Sequence, residues 1–187
     1  KVIAEAVVRG AASVPGTVAE LFPVEAFGPP DAQKQYRGTW DSLAQADAIV
    51  WGAPTYMGSV SAAFKQFMEH TSALWLRQEW KDKLAAGFTN SGSQHGDKLN
   101  TLWDLAHFAF QHGMVWIGLD LPGGNNSSKG SPNDLNRIGA WLGAMSQSNV
   151  DQQADTAPPE SDQKTAEHLG RRVAGAALRW RAGKAAQ

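Results

Sequence analysis

The sequence predicts an α/β protein with an open parallel sheet that carries helices on both faces. Two short apolar runs, residues 48–51 and 84–88, have the length and composition of buried strands, and longer amphipathic stretches lie between the apolar runs of the chain. Each of the two runs ends in a segment rich in Gly, Pro, Ser or Asn, as expected for loops at the carboxyl ends of parallel strands. Strands that alternate with helices favour a sheet covered on both sides.

The individual elements follow in order along the chain. Before residue 52, the sequence predicts a helix over residues 2–12, a strand over 17–23, a short helix over 39–46 and a strand over 48–51. Ser59 is the expected cap of a long helix, because Ser is a preferred residue at helix N-termini. The apolar residues that recur at helical spacing along that helix are Val60, Phe64, Phe67, Thr71 and Leu74.

The second half continues the alternation. A strand is predicted over residues 84–88, a helix over 99–111, a strand over 114–118 and a closing helix over 161–180. Loops of ten residues or more remain at 28–37, 122–136 and 146–160. Loops of this length in a compact domain suggest active-site walls, subunit contacts or disorder.

Composition limits the functional classes. A chain of 187 residues that is 42% hydrophobic and 19% charged is long enough to form one domain, residues 1–187, with a full core. Its net charge of −1 gives no basis for nucleic acid or an anionic membrane surface as a partner. The absence of cysteine excludes disulfides and thiolate metal sites, and His70, His107 and His168 have no partner at metal-ligand spacing.

The sequence also shows no membrane or export signal. No apolar run approaches the roughly 20 residues of a membrane-spanning helix, so membrane insertion is not expected. No signal-peptide pattern is visible at the start of the chain. We therefore expect a cytoplasmic protein.

Two loops are the candidate ligand site. The first contains Pro54, Thr55, Tyr56, Met57 and Gly58, and the second contains Asn90, Ser91, Gly92, Ser93, Gln94 and His95. Loops that follow neighbouring parallel strands form one crevice, so the two are expected to share a ligand. Gly and Pro let main chain approach a planar ring closely, and successive N–H groups in such turns can stabilise negative charge.

These loops, together with residues 64–75 (FKQFMEHTSALW) and 111–114 (QHGM), resemble the flavodoxin-like NAD(P)H:quinone oxidoreductases of the WrbA type. The resemblance covers about residues 44–118. It implies a flavodoxin-like fold, FMN held by both loops and by His112, and Trp75 in the substrate site. It also implies NAD(P)H as electron donor, a quinone-like acceptor and a homodimer or homotetramer. Tyr56 and Met57 stand where the family commonly has Arg-Phe, and His95 where it has Gly.

The resemblance also predicts elements that the sequence does not contain. A flavodoxin-like sheet has five strands and opens with a strand and a phosphate-binding loop, whereas four strand candidates are visible here and the chain begins inside the first helix. Omitting that strand would leave unpaired backbone groups in the sheet. We therefore expect residues upstream of Lys1 in the natural protein, carrying the phosphate site.

The tryptophan content predicts self-association. The chain has eight tryptophans, and Trp75, Trp80, Trp103, Trp116 and Trp141 lie in or beside the segments that border the site. One small sheet does not readily bury so much aromatic surface, and aromatic residues are enriched at interfaces.

Three functional hypotheses result. The first is an FMN-dependent oxidoreductase that transfers two electrons from NAD(P)H to a quinone. The second is a flavodoxin-like electron carrier, although a net charge near zero is unusual for such carriers. The third is a flavin-free binding or assembly module of the same fold. Its support is the missing phosphate loop, and fold alone does not establish catalysis. Hydrolase and nucleotidase signatures are absent from the sequence.

Overall fold

A computed structural model describes residues 1–185 of the protein, so the last two residues of the predicted domain lie outside the described residues. The helices are α1 (Val2–Ala12), α2 (Thr39–Gln45), α3 (Ala62–His70), α4 (Ser72–Arg77), α5 (Lys98–Gln111) and α6 (Glu160–Ala185). The strands are β1 (Ala48–Tyr56), β2 (Ser59–Val60), β3 (Leu84–Ser91), β4 (Val115–Trp116) and β5 (Ala144–Gln147). A 3₁₀ turn covers Val24–Ala26.

The predicted parallel sheet is present, and β1 and β3 are its longest pair of strands. These strands pair in parallel over seven residues, from Ala48 opposite Leu84 to Pro54 opposite Asn90. The other edge of β3 carries β4 at its start and β5 at its end, both parallel. The strand predicted over residues 114–118 is therefore reduced to β4. Residues 117–143 then leave the edge of the sheet, and the chain returns to it as β5. The sequence pattern does not predict β5.

The prediction of a strand over residues 17–23 is wrong for this structure. These residues form no strand, and Val18 is 93% exposed. Within residues 1–185, no strand pairs with the outer edge of β1 over residues 48–54. An extended segment without a neighbouring strand has no ladder of hydrogen bonds to hold it.

The helix predicted to begin at Ser59 begins two residues later. Ser61 caps α3 by accepting a hydrogen bond from the Phe64 amide, whereas Ser59 lies in β2. The helix also divides, since Thr71 leaves the helical conformation between α3 and α4. Its predicted apolar face is confirmed for Phe64, Phe67, Thr71 and Leu74, which are all buried.

The core lies on both faces of the sheet. On one face, an aromatic cluster packs under α3 and α5, and its members are Trp51, Phe64, Phe67, Trp80 and Phe108. On the other face, α1 packs against α6 so closely that a methyl group at Gly10 or Gly170 would overlap backbone of the opposite helix. None of the helices within residues 1–185 combines the length and the apolarity needed to cross a membrane.

Candidate functional site

The first predicted loop is a tight hairpin. Thr55 and Tyr56 at the end of β1 pair with Val60 and Ser59 of β2 in antiparallel register, and Met57 and Gly58 form the turn. Both turn residues have positive φ, 50° and 77°, which is the conformation of a type I′ hairpin. A methionine in this conformation is uncommon and costs free energy. The side chains of Met57 and Tyr56 are exposed at the tip.

Helix α5 fixes this hairpin from behind. The Asn100 side chain donates to the Gly58 carbonyl at 2.7 Å, and the Ser59 hydroxyl donates to Asp104 at 2.6 Å. Beneath the loop, the hydroxyl of Thr55 lies 2.8 Å from the hydroxyls of both Thr89 and Thr101, and all three residues are buried. This hydroxyl cluster connects β1, β3 and α5, so the hairpin is held in one position relative to the second loop.

The second predicted loop leaves β3 beside the first, since Asn90 pairs with Pro54 in the sheet. The Asn90 side chain accepts hydrogen bonds from Ser146 at 2.8 Å and from Ser148 at 3.1 Å. Its amide oxygen is therefore used to hold the interrupted edge of the sheet. Further along, Gln94 and His95 are exposed, and the His95 ring accepts from the Asp97 amide at 3.1 Å.

A buried lysine organises the interior of the second loop. Lys98 is the first residue of α5, and its ammonium donates to the Ser91 hydroxyl and to the carbonyls of Ser93 and Gln94, at 2.9, 2.7 and 2.7 Å. Burial lowers the pKa of Lys98 to about 8; nearby Asp162 opposes this effect, whereas Arg137 adds to it. The ammonium is therefore still mostly charged at neutral pH.

Arg137 and Asp162 form a buried ion pair next to this region. Two parallel hydrogen bonds of 2.8 Å join the guanidinium to the carboxylate. The same carboxylate accepts the backbone amide of Gln147 at 2.9 Å, and the Gln147 side chain donates to the Gly92 carbonyl at 2.9 Å. The pair thus connects α6, β5 and the second loop.

His112 and Trp75 do not lie with the two loops. The loops flank the start of α5, whereas His112 follows its last residue, about 20 Å away for a helix of 14 residues. Trp75 lies near the same end, since Gln78 donates to the carbonyls of both Trp75 and Gln111. Within one chain, neither residue reaches the loops. Contacts of His112 and Trp75 with a flavin or a substrate remain predictions, and this includes a flavin or substrate bound to another subunit.

His112 has the surroundings of a core residue. It is 1% exposed and packs between the rings of Trp80 and Phe108. Burial lowers its pKa to about 4, so the ring is neutral. The single proton of the Thr71 hydroxyl is donated to the Met68 carbonyl. In the 3.0 Å bond between His112 Nε2 and Thr71, Nε2 is therefore the protonated donor and the hydroxyl oxygen accepts. This position favours a packing role for His112.

Sequence reasoning missed the residues that support the loops: Lys98, Asn100, Thr101, Asp104, Arg137, Ser146 and Asp162. A lysine at the start of a helix or an asparagine on a polar helix face is ordinary in sequence. The available signal for these residues was the segment from Lys98 to Asp104, which directly follows the second loop and mixes polar with apolar residues. Some of their partners lie more than 50 residues away, as Asn90 does from Ser146, and local patterns do not reveal such pairs.

Comparison with known proteins agrees with this geometry. The model of the NADPH-dependent FMN reductase family matches residues 11–121, which include both loops and α5. The chain belongs to this family. A WrbA-like flavodoxin from Agrobacterium tumefaciens has 35% sequence identity and a TM-score of 0.66, over 95% of this chain and 88% of that one. The flavodoxin-like fold and the resemblance to the WrbA type are thus confirmed.

Two relatives extend the comparison over most of the chain. Flavodoxin FldP of Pseudomonas aeruginosa is 42% identical over 164 residues, 87% of this chain and 85% of the relative. A protein named NAD(P)H dehydrogenase (quinone), from Geotalea uraniireducens, is 32% identical over 190 aligned positions, 95% of this chain and 91% of the relative. As a member of the FMN reductase family, the chain is a flavin-dependent oxidoreductase with FMN as its cofactor.

Proposed function

We propose that this FMN reductase family member transfers two electrons from NAD(P)H to a quinone or a similar acceptor through FMN. The observation that carries the proposal is the pair of loops at the carboxyl ends of β1 and β3, in which Pro54 lies opposite Asn90. Such a crevice is the usual ligand position of an open parallel sheet. Relatives named NAD(P)H dehydrogenase (quinone) support the same chemistry.

The residues of the two loops fit the ring of FMN. The proposed contacts of the first loop are Pro54, Thr55, Tyr56, Met57 and Gly58, and those of the second are Asn90, Ser91, Gly92, Ser93, Gln94 and His95. In the part of the chain that the structure describes, the backbone N–H groups of Gln94 and His95 donate to no protein acceptor, so they are available to a ligand. These residues would hold FMN, which when bound would supply the redox chemistry needed to take hydride from NAD(P)H and give two electrons to the acceptor.

The protein contributes orientation and a surface for stacking. Tyr56 and Met57 present exposed apolar area at the first loop, against which a planar ligand can lie. The rigid hydroxyl cluster of Thr55, Thr89 and Thr101 keeps that surface in place. A pyridine nucleotide and a quinone are both planar, so one surface can serve both in turn. His112 and Trp75 stay proposed contacts through a neighbouring subunit.

We expect the purified full-length protein to bind FMN and to show ping-pong kinetics with NAD(P)H and a quinone. Binding should perturb the visible flavin spectrum and quench flavin fluorescence, because the ring becomes enclosed by protein. Parallel double-reciprocal lines are expected, since donor and acceptor occupy the same surface at different times. An unchanged spectrum of free FMN would contradict the proposal, and intersecting lines would indicate a ternary complex instead.

A matched pair of variants tests whether the first loop binds FMN. Met57→Ala removes exposed apolar surface at the tip, and Val18→Ala removes a comparable exposed group outside both loops. Loss of the contact between Met57 and FMN should weaken FMN binding about fivefold, equivalent to about 1 kcal/mol, in Met57→Ala. Val18→Ala should bind FMN as wild type does. Equal affinities for the two variants would exclude Met57 from the site.

An electron carrier is the second candidate, favoured by the 42% identity to a protein named flavodoxin. The two functions differ in the stable reduction level of the flavin. Photoreduction of a two-electron enzyme should pass directly to the fully reduced flavin. Accumulation of a large one-electron fraction, with slow quinone turnover, would favour the carrier.

We further propose that the protein is a homodimer or homotetramer that associates through α5. Leu99, Trp103 and Phe110 are exposed at helical spacing on this helix, and His107 stacks on Trp103 with ring centres 5.0 Å apart. A contiguous exposed apolar surface of this kind is typical of an interface. Of the five tryptophans considered above, Trp75, Trp103 and Trp141 are exposed. Trp80 is buried and Trp116 half-buried, so these two do not contribute to the argument.

The expected result is an oligomer at micromolar concentration by light scattering. Trp103→Glu should convert it to monomer, because a charge at the interface centre is left without a partner on association. Val150→Glu introduces the same charge at an exposed position outside α5 and should leave the oligomer intact. A monomeric wild-type protein would refute the proposal.

A further inference from the structure

Lys98 is a fully buried cation that the proposed function does not yet use. Lysine is almost never completely buried without a specific partner. All three protons of this ammonium go to neutral oxygens of the second loop, namely the Ser91 hydroxyl and the carbonyls of Ser93 and Gln94. The charge is therefore used to hold one loop from the inside.

The hydrogen bonds of Lys98 also determine which way two backbone N–H groups point. In a trans peptide the carbonyl and the following N–H point in opposite directions. Because the carbonyls of Ser93 and Gln94 point inward to the ammonium, the N–H groups of Gln94 and His95 point away from it. That direction is the outer side of the loop, where both of these residues are exposed.

The charges around Lys98 leave the region behind the loop positive. Arg137 and Asp162 neutralise each other in their paired hydrogen bonds. The ammonium of Lys98 then adds one positive charge within a buried environment, where screening by solvent is weak. Two outward N–H groups in front of a buried cation form an arrangement that attracts negative charge.

We propose that Lys98 is a positioning residue of the flavin site, which aims the N–H groups of Gln94 and His95 at the edge of the ring where negative charge gathers on reduction. The inference rests on the proposed binding of FMN between the two loops. It extends that proposal by stating that the second loop favours the reduced form of the cofactor over the oxidised form, and that this preference depends on a residue without direct contact to FMN.

The test compares Lys98→Met and Lys98→Gln with wild type and with Lys164→Met. The methionine variant removes charge and hydrogen bonds, and the glutamine variant removes the charge while keeping a donor. Lys164 is an exposed lysine on α6, so its replacement controls for loss of one positive charge. The midpoint potential of bound FMN is measured for each protein, together with the binding of oxidised FMN and the melting temperature.

For Lys98→Met we expect the affinity for reduced FMN to fall about tenfold more than that for oxidised FMN. This corresponds to a two-electron potential about 30 mV more negative. Lys98→Gln should give a smaller shift in the same direction, and Lys164→Met should give none. A potential equal to that of wild type in both folded Lys98 variants would overturn the inference.

A measurement on the ligand-free protein separates this inference from the proposed function. In ¹⁵N NMR spectra without FMN, the amide signals of Gln94 and His95 should be sharp in wild type and shifted or broadened in Lys98→Met. Unchanged signals would overturn the positioning role. If wild type binds no FMN, the proposed function fails, while these amide signals still decide whether Lys98 holds the loop.

Discussion

Asp162→Ala should destabilise the protein by about 3–5 kcal/mol, the range expected when one partner of a buried ion pair is removed. The carboxylate is 2% exposed and receives both the bidentate Arg137 guanidinium and the Gln147 amide. Its removal leaves the Arg137 charge buried without a counter-ion and the Gln147 amide without an acceptor. Urea unfolding followed by circular dichroism would measure the loss.

Two controls sharpen this experiment. Glu160 lies in the same first turn of α6 but forms an exposed ion pair with Lys164, so Glu160→Ala should leave the urea unfolding midpoint nearly unchanged. The double variant Arg137→Met/Asp162→Ala should be more stable than Asp162→Ala alone, because the Arg137 charge is removed together with its counter-ion. A double variant as unstable as the sum of the two single variants would argue against the ion pair as the cause.

Acidification from pH 6.5 to pH 4 should reduce the stability of the wild-type protein through His112 by about 3 kcal/mol. Burial depresses the pKa of this histidine from 6.5 to about 4 in the folded state. The unfolded chain therefore binds a proton that the folded chain does not, and each pH unit in this interval is equivalent to about 1.4 kcal/mol. Well above pH 6.5 both states are neutral at this residue, and the penalty is absent.

The surroundings of His112 explain why protonation is unfavourable. Nε2 already donates to Thr71, so an added proton would go to Nδ1, which is buried and has no hydrogen-bond partner within the described residues. The ring lies against Trp80 and Phe108, and solvent cannot reach the charge. Thr71 keeps its bond to the Met68 carbonyl when the histidine is replaced.

His112→Phe should remove this part of the acid sensitivity. The quantity to compare is the change in unfolding free energy between pH 6.5 and 4, since the replacement also alters packing at neutral pH. His95→Ala, at an exposed histidine, should retain the wild-type dependence. An unaltered pH dependence in His112→Phe would show that other groups cause the loss. The half-buried His168, whose pKa is also lowered by burial, would then be the next residue to test.

The same variant addresses the predicted flavin contact of His112. If a neighbouring subunit brings a flavin to this residue, FMN affinity should fall about fivefold in His112→Phe, equivalent to one neutral hydrogen bond of about 1 kcal/mol. A packing role alone would leave FMN titration unchanged and alter only the stability.

Local sequence patterns determined the type of most elements and the position of the two loops. Periodic apolar residues identify α1, α3 and α5 because a helix face repeats every 3.6 residues, and the short apolar run at residues 48–51 identifies β1. Turn residues at 54–58 and 90–96 identify the loops for a similarly local reason, since only a few residue types suit such turns. The resemblance to the WrbA type rests on these loops together with residues 64–75 and 111–114.

Tertiary structure decided the features that depend on residues far apart in the chain. Four residues of β5 are too few to show a pattern, and they form a strand only because β3 is alongside. The burial of Lys98 beneath its own loop and of His112 beside Trp80 follows from packing, not from residue type. The strand expected over residues 17–23 is absent for the converse reason: an apolar sequence favours a strand, but only a neighbouring strand can satisfy its backbone hydrogen bonds.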